Sequence, residues 1–165
     1  MTEAHFRKMS ESIRKQKWMV TLLNVLDKMI TGITFLCYPL LLAFLFFQKD
    51  RFLLPAIIVP AVSFLIVSIF RNIYNAKRPY EVYNFEPIIK KNTLGKSFPS
   101  RHVFSIFVVA MTFLQVDGDL GFWFFVLGMI LGVIRVYGGV HFIKDVSVGA
   151  IAGVIFSCIG YYLIF

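Results

Sequence analysis

The stretch MITGITFLCYPLLLAFLFF, Met29 to Phe47, contains no charged residue, and FLLPAIIVPAVSFLIVSIF, Phe52 to Phe70, repeats the pattern almost at once. A hydrocarbon layer of about 30 Å needs roughly 20 helical residues at about 1.5 Å each, so both runs read as membrane spans. Further along the chain, Val103 to Gln115, Leu120 to Ile134 and Val146 to Phe165 are again apolar. The first two of these are short alone and reach spanning length with their polar flanks. The expected fold is therefore all-α, a polytopic membrane helix bundle of about five transmembrane helices. Composition agrees, because a chain with 58% hydrophobic and 16% charged residues cannot present most of its surface to water. A soluble enzyme is excluded on this ground.

Pro39, Pro55 and Pro60 fall inside the apolar runs and predict kinks rather than boundaries, since neighbouring helices can satisfy the freed carbonyls. Gly128, Gly132, Gly149 and Gly153 recur at four-residue spacing and predict close approach of the last two spans. Cys37 and Cys158 lie within apolar runs and read as small buried hydrophobes rather than as a disulfide.

Residues 1–28 differ from the core at 29–165. Arg7, Lys8, Arg14, Lys15 and Lys17 precede Trp18 and then apolar residues interrupted by Asn24, Asp27 and Lys28. This predicts a basic amphipathic helix at the membrane interface. A secretory signal fits less well, because the apolar part runs directly into a full span with no small-residue cleavage site. The chain as a whole carries a net charge of +8. Its cations sit between apolar runs rather than along one soluble face, so membrane lipids and phosphate esters, not nucleic acid, are the partners this charge fits. No feature of the sequence specifies an oligomeric state.

Three polar clusters stand where apolar runs meet loops: Arg71-x6-Arg78-Pro79, Pro99-Ser100-Arg101-His102 and Arg135-x5-His141-x3-Asp145. They hold four arginines, two histidines, a serine and a carboxylate, a set able to move a phosphoryl group. Snorkelling to headgroups is the common role of cations at helix ends. However, Pro79 disfavours helix at Arg78, and alternating spans bring all three clusters to one side. His102 opens a span behind Pro99 and Ser100, where free N–H groups and a helix dipole favour an anion. His141 and Asp145, four residues apart, would share a helix face, so the carboxylate can fix the imidazole tautomer and free the other nitrogen for attack. The alternative for Asp145 is a helix cap. Arg135 ends the preceding span, and Gly138-Gly139 permits the reversal that returns it to His141. Several guanidinium groups around one carboxylate repel one another until a dianion joins them. A divalent metal would have to draw on His102, His141, Asp145 and loop carboxylates such as Glu81 and Glu86 amid four arginines, so no metal site is expected. No other cofactor is implied.

With these motifs in view, the chain resembles the type-2 phosphatidic acid phosphatase superfamily of integral membrane lipid phosphatases. That family's signature reads Lys-x6-Arg-Pro, Pro-Ser-Gly-His and Ser-Arg-x5-His-x3-Asp, and the match runs in order from Arg71 to Asp145. The resemblance implies metal-independent hydrolysis of a lipid phosphate or diphosphate, such as phosphatidic acid, phosphatidylglycerol phosphate or a polyprenyl (di)phosphate. It implies His141 as the nucleophile that forms a phosphohistidine, Asp145 as its orienting partner and His102 as general acid. Arg71, Arg78, Arg135 and Ser100 would hold the phosphoryl oxygens, with Lys77 and Arg101 beside them. Three positions depart from the signature. Arg71 stands for lysine, Arg101 for glycine and Ile134 for serine, and none of these removes a reacting group.

A phosphotransferase with an acceptor other than water, or a catalytically silent lipid-phosphate binding or transport protein, would use the same anion pocket. The latter needs only the arginines, so His102, His141 and Asp145 together favour an enzyme. With five spans, every Lys and Arg except Lys49 and Arg51 lies on the side of the clusters. Counted literally, the basic residues place that side in the cytoplasm. The resemblance implies an extracytoplasmic site in the cell membrane, because family members usually face outward.

Overall fold

The computed structural model describes residues 3–91 and 93–165; Met1 and Thr2 of the expected N-terminal segment, and Asn92, lie outside it. The regular elements among the described residues are all helices, in the order α1 (Glu3–Arg14), α2 (Lys17–Phe47), α3 (Leu53–Tyr74), α4 (Pro79–Val82), α5 (Arg101–Leu114), α6 (Gly118–Tyr137) and α7 (Ile143–Ile159). A π-helical turn, Gly160–Ile164, continues α7. Helices α2, α3, α6 and the extended α7 are long and apolar enough to cross a membrane. The protein is a multi-pass membrane protein, and its exposed side chains, among them Phe35, Phe47, Ile73 and Leu163, suit lipid rather than water.

Helix α5 is the exception in length. Its fourteen residues rise about 21 Å, short of a full crossing. Ten of the fourteen are buried, because α5 runs through the middle of the bundle and packs against α2, α3, α6 and α7. A helix that is apolar all round needs such a place. The glycines make it possible. A Cβ at Gly128 would meet the Phe107 ring at 2.7 Å, at Gly149 the Ser100 carbonyl at 2.8 Å, and at Gly153 the Phe104 carbonyl at 2.9 Å. The glycine spacing thus serves approach to α5, not of α6 to α7, and Gly132 has room for a side chain.

Pro39 and Pro60 lie inside helices, whereas Pro55 falls in the first turn of α3, where no N–H is needed. Asp50 accepts the Phe52 N–H at 2.8 Å before α3, and Asp117 accepts the Leu120 N–H at 2.9 Å at the start of α6. Both cysteines are free and half-buried.

The N-terminal segment departs from expectation. Lys17 to Lys28 form the first turns of the spanning helix α2, and only α1 is a separate basic helix. Its apolar face packs on protein. Phe6 is fully buried among Tyr83, Phe85 and Phe142, while Arg7 donates to the Tyr83 carbonyl at 2.8 Å and Arg14 to that of Glu86 at 2.6 Å. Asn24 and Asp27, which interrupt the apolar pattern, face inward: the Asn24 amide donates to the Ile88 carbonyl at 3.2 Å.

Candidate active site

The site forms where the ends of α3 and α6 meet the starts of α5 and α7. Asn75, in the left-handed conformation at φ 42°, ends α3 and turns the chain into the long loop. Arg71, one turn earlier, is buried and donates to the carbonyls of Lys96, Ser97 and Pro99, so it shapes the backbone before α5. Arg78 is extended, as the following proline requires, and is also buried. Its Nε donates to Gly95 O at 3.0 Å and its Nη1 to Val140 O at 3.1 Å. Glu81 accepts the backbone N–H of Arg78 at 2.9 Å and of Gly95 at 2.8 Å, closing the loop on itself.

Gly139, at φ +74°, makes the reversal after α6, and the Val140 and His141 N–H groups return to the Arg135 carbonyl at 3.2 and 3.3 Å. His141 therefore sits in the turn before α7, not on the helix as its spacing to Asp145 predicts. The pair still meets, because Asp145 is in the first turn and reaches back: its Oδ2 lies 3.4 Å from His141 Nδ1. That oxygen also accepts the Phe142 N–H at 3.0 Å and the Ser97 hydroxyl at 2.5 Å. Orienting the imidazole and capping α7 are thus one interaction, not alternatives.

Ser97 is a site residue that the motifs do not include. It is fully buried, lies 3.4 Å from His141 Nδ1 and donates to the same carboxylate oxygen that faces the imidazole. Its only sequence signal is its place two residues before Pro99. With Nδ1 held, Nε2 faces Arg78 Nη1 at 3.5 Å. Burial holds the His141 imidazole well below the usual histidine range, with Arg78 and Arg135 adding to the effect and Asp145 opposing it. Neutral imidazole, with a lone pair on Nε2, is the form a nucleophile needs.

His141 lines a polar cavity of about 230 Å³ together with Arg71, Arg78, Lys91, Arg101 and His102. Lys91 is a second residue that the motifs miss. It is half-buried, and burial followed by the charges of Arg135 and Arg78 lowers it to about 8. Ser100 precedes α5 as its N-cap, with its N–H on the Asp145 carbonyl at 2.8 Å. Its fully buried hydroxyl has no partner among the described residues, and Ser100 lies outside the lining of the polar cavity, behind it. Arg135 is buried and paired with Asp27 rather than lining the cavity. Lys77 is a correction: Pro79 sends Arg78 inward, and Lys77 is left exposed outside the cavity lining. Arg101 is exposed at the cavity mouth, over the Phe64 ring at 5.4 Å.

A second, apolar cavity of about 470 Å³ opens between α2, α3 and α5, lined by residues such as Tyr38, Pro60, Phe64 and Val108. It shares Arg101 and His102 with the polar one.

A sequence profile of the PAP2 superfamily matches residues 52–165. The bacitracin transport permease protein BcrC of Bacillus licheniformis is 26% identical over 103 residues, 60% of this chain. The matched stretch spans about half, 51%, of that relative. Among solved structures, LpxE of Aquifex aeolicus superposes with a TM-score of 0.66 at 26% identity, over 86% of this chain and 92% of that one. The transmembrane PAP2-type phosphatidylglycerolphosphate phosphatase of Bacillus subtilis gives 0.61 at 21% identity, over 95% and 90%, a likeness of fold.

Proposed function

The chain belongs to the PAP2 superfamily, and on that premise we propose that it is a membrane lipid phosphatase, hydrolysing a lipid phosphate monoester or diphosphate through a phosphohistidine. The observation that carries this reading is the order Ser97, Asp145, His141, Arg78: a clamped carboxylate on Nδ1, and a guanidinium beside the Nε2 that would attack.

In this mechanism the phosphate enters the polar cavity among Arg71, Arg78 and Lys91. His141 Nε2 forms the bond to phosphorus as the bond to the lipid oxygen breaks, and His102 gives that oxygen its proton. His102 then takes a proton from water, which displaces phosphate from His141. The arginines stabilise charge growing on the phosphoryl oxygens. Asp145 holds the imidazole in one tautomer and meets the positive charge that forms on it. The lipid tail lies in the apolar cavity, whose lining and volume suit a hydrocarbon chain.

The name of BcrC speaks of transport, and an anion pocket beside an apolar cavity would also serve a carrier. Hydrolysis is favoured because binding requires neither an oriented nucleophile nor a second histidine in the same cavity. We place the site on the extracytoplasmic face. Five of the basic residues that would argue otherwise are engaged within the protein: Arg71, Arg78 and Arg135 are buried, and Arg7 and Arg14 are bound to loop carbonyls.

Phosphate release by detergent-purified protein, with chelator present, across diacylglycerol and polyprenyl mono- and diphosphates tests the reading. Metal-independent release that vanadate inhibits is the expected result. Bound lipid phosphate without release would favour the carrier, and product phosphorylated on an added alcohol would favour a phosphotransferase. Labelling single cysteines placed in the 84–91 loop of intact cells checks the face.

A further inference from the structure

Helix α2 lies wholly before the stretch that matches the superfamily profile, yet it sends one carboxylate to the site. Asp27 is 8% exposed. Its Oδ1 is 2.7 Å from Arg135 Nε, and its Oδ2 accepts from Arg135 Nη2 at 3.2 Å. The carboxylate therefore sits against the Nε–Nη2 side of the guanidinium with one hydrogen bond, from Nη2, and a close ion-pair contact at Nε that is not aligned as a hydrogen bond. Arg135 is 2% exposed, and its charge weighs on both Lys91 and His141, which line the polar cavity.

An ion pair this deep is a poor means of holding two helices together, since apolar side chains of similar volume do as well or better. It is a good means of aiming a cation. Arg135 ends α6 as the arginine of the third motif, and its fork keeps further N–H groups beyond the edge that Asp27 occupies. An unpaired Arg135 would be repelled by Arg78 and Lys91 whenever no phosphate is bound. Asp27 offsets that repulsion without standing in the cavity lining.

We propose that Asp27 is a positioning residue that holds the Arg135 guanidinium just behind the polar cavity, so that its charge acts on the phosphoryl group and on His141 from there. The proposal rests on the phosphate-site reading above. It adds a determinant from a helix that the three signature motifs do not reach.

The test compares wild type, Asp27→Asn, Arg135→Gln and the double variant, each as full-length protein in detergent. Single-turnover rate, steady-state kcat/KM and melting temperature are measured on the same preparations. Asp27→Asn is expected to lower kcat/KM by about tenfold to a hundredfold, the range found when a group that orients a binding residue is lost. In the Arg135→Gln background the same change is expected to cost less than about threefold, because the residue it acts through is gone. A rate within threefold of wild type for Asp27→Asn overturns the proposal, as does a loss undiminished in the double variant. A purely structural role would lower melting temperature and leave the rate of the folded fraction intact, which also overturns it. If Asp27→Asn alone fails to fold, Asp27→Glu, which keeps the charge but displaces the carboxylate, takes its place: a loss of about tenfold in kcat/KM is expected, and a rate within threefold of wild type overturns the proposal. Inhibition of wild type by inorganic phosphate is measured alongside. Its absence would sink the phosphate reading itself, whereas inhibition with no effect of Asp27→Asn sinks only the present proposal.

Discussion

Two cavities meet at Arg101 and His102, and their linings are opposites: one crowds Arg71, Arg78 and Lys91 around His141, the other is walled by Tyr38, Pro60, Phe64 and Val108. The polar cavity is built from loops and helix ends, where the chain can supply carbonyls to each cation. The apolar one is built mainly from helix middles, where most backbone groups are bonded along the helix and Tyr38 donates to the Ala56 carbonyl that Pro60 leaves free, at 2.8 Å. In lipid that division is enforced, because an unsatisfied polar group costs several kcal/mol there while a loop end can gather partners. A lipid phosphate is divided in the same way, and the boundary between the cavities is where its phosphoester oxygen would lie, next to His102.

If the polar cavity performs the chemistry, His141→Ala removes the nucleophile, and single-turnover phosphate release should fall by at least about 10³-fold for every substrate. A residual rate near wild type would break the division outright. Asp145→Asn should lower the rate about a hundredfold or more, because the amide offers His141 the wrong partner. It should also cost about 1 kcal/mol in stability from the lost cap on α7. Loss of stability without loss of rate would remove Asp145 from the chemistry.

The apolar cavity is tested by filling it. Ala61→Phe places a ring among its lining residues, and turnover of a long-tailed lipid phosphate should drop about tenfold while a water-soluble phosphate ester is processed as before. Equal losses on both would mean that the tail lies elsewhere. For Lys91, the sign follows from its lowered value of about 8: it is cationic below that pH and neutral above. Phosphate esters are dianionic from about pH 7, since their second pKa is about 6. Substrate affinity should therefore weaken as pH rises through about 8, and Lys91→Met should flatten that limb while weakening binding about tenfold at pH 7. A limb that persists in Lys91→Met assigns it to another group. Arg101→Gly, at the junction, should have the smallest effect, a few-fold change in KM, because Arg101 is exposed and its cation is screened.

Four of the five expected spans, and the polar clusters that the proposed chemistry draws on, were legible in the chain itself. An uncharged run such as Met29 to Phe47 has no stable place but a membrane, and Arg-x5-His-x3-Asp keeps its residues close by covalent spacing alone. Other features depended on which segments pack together. Hydropathy ranks α5 with its neighbours, yet it is short and enclosed while they face outward, since an apolar side chain reads the same against lipid as against protein. Asn24 and Asp27 look like the polar face of an interfacial helix, and only the packing of α2 against α6 turns them into internal partners of Ile88 and Arg135. Ser97 and Lys91 reach His141 and the polar cavity by tertiary contact, with no spacing to announce them. Local spacing decides which groups are available, whereas the meeting of groups far apart in the chain costs conformational entropy that only the packed bundle offsets.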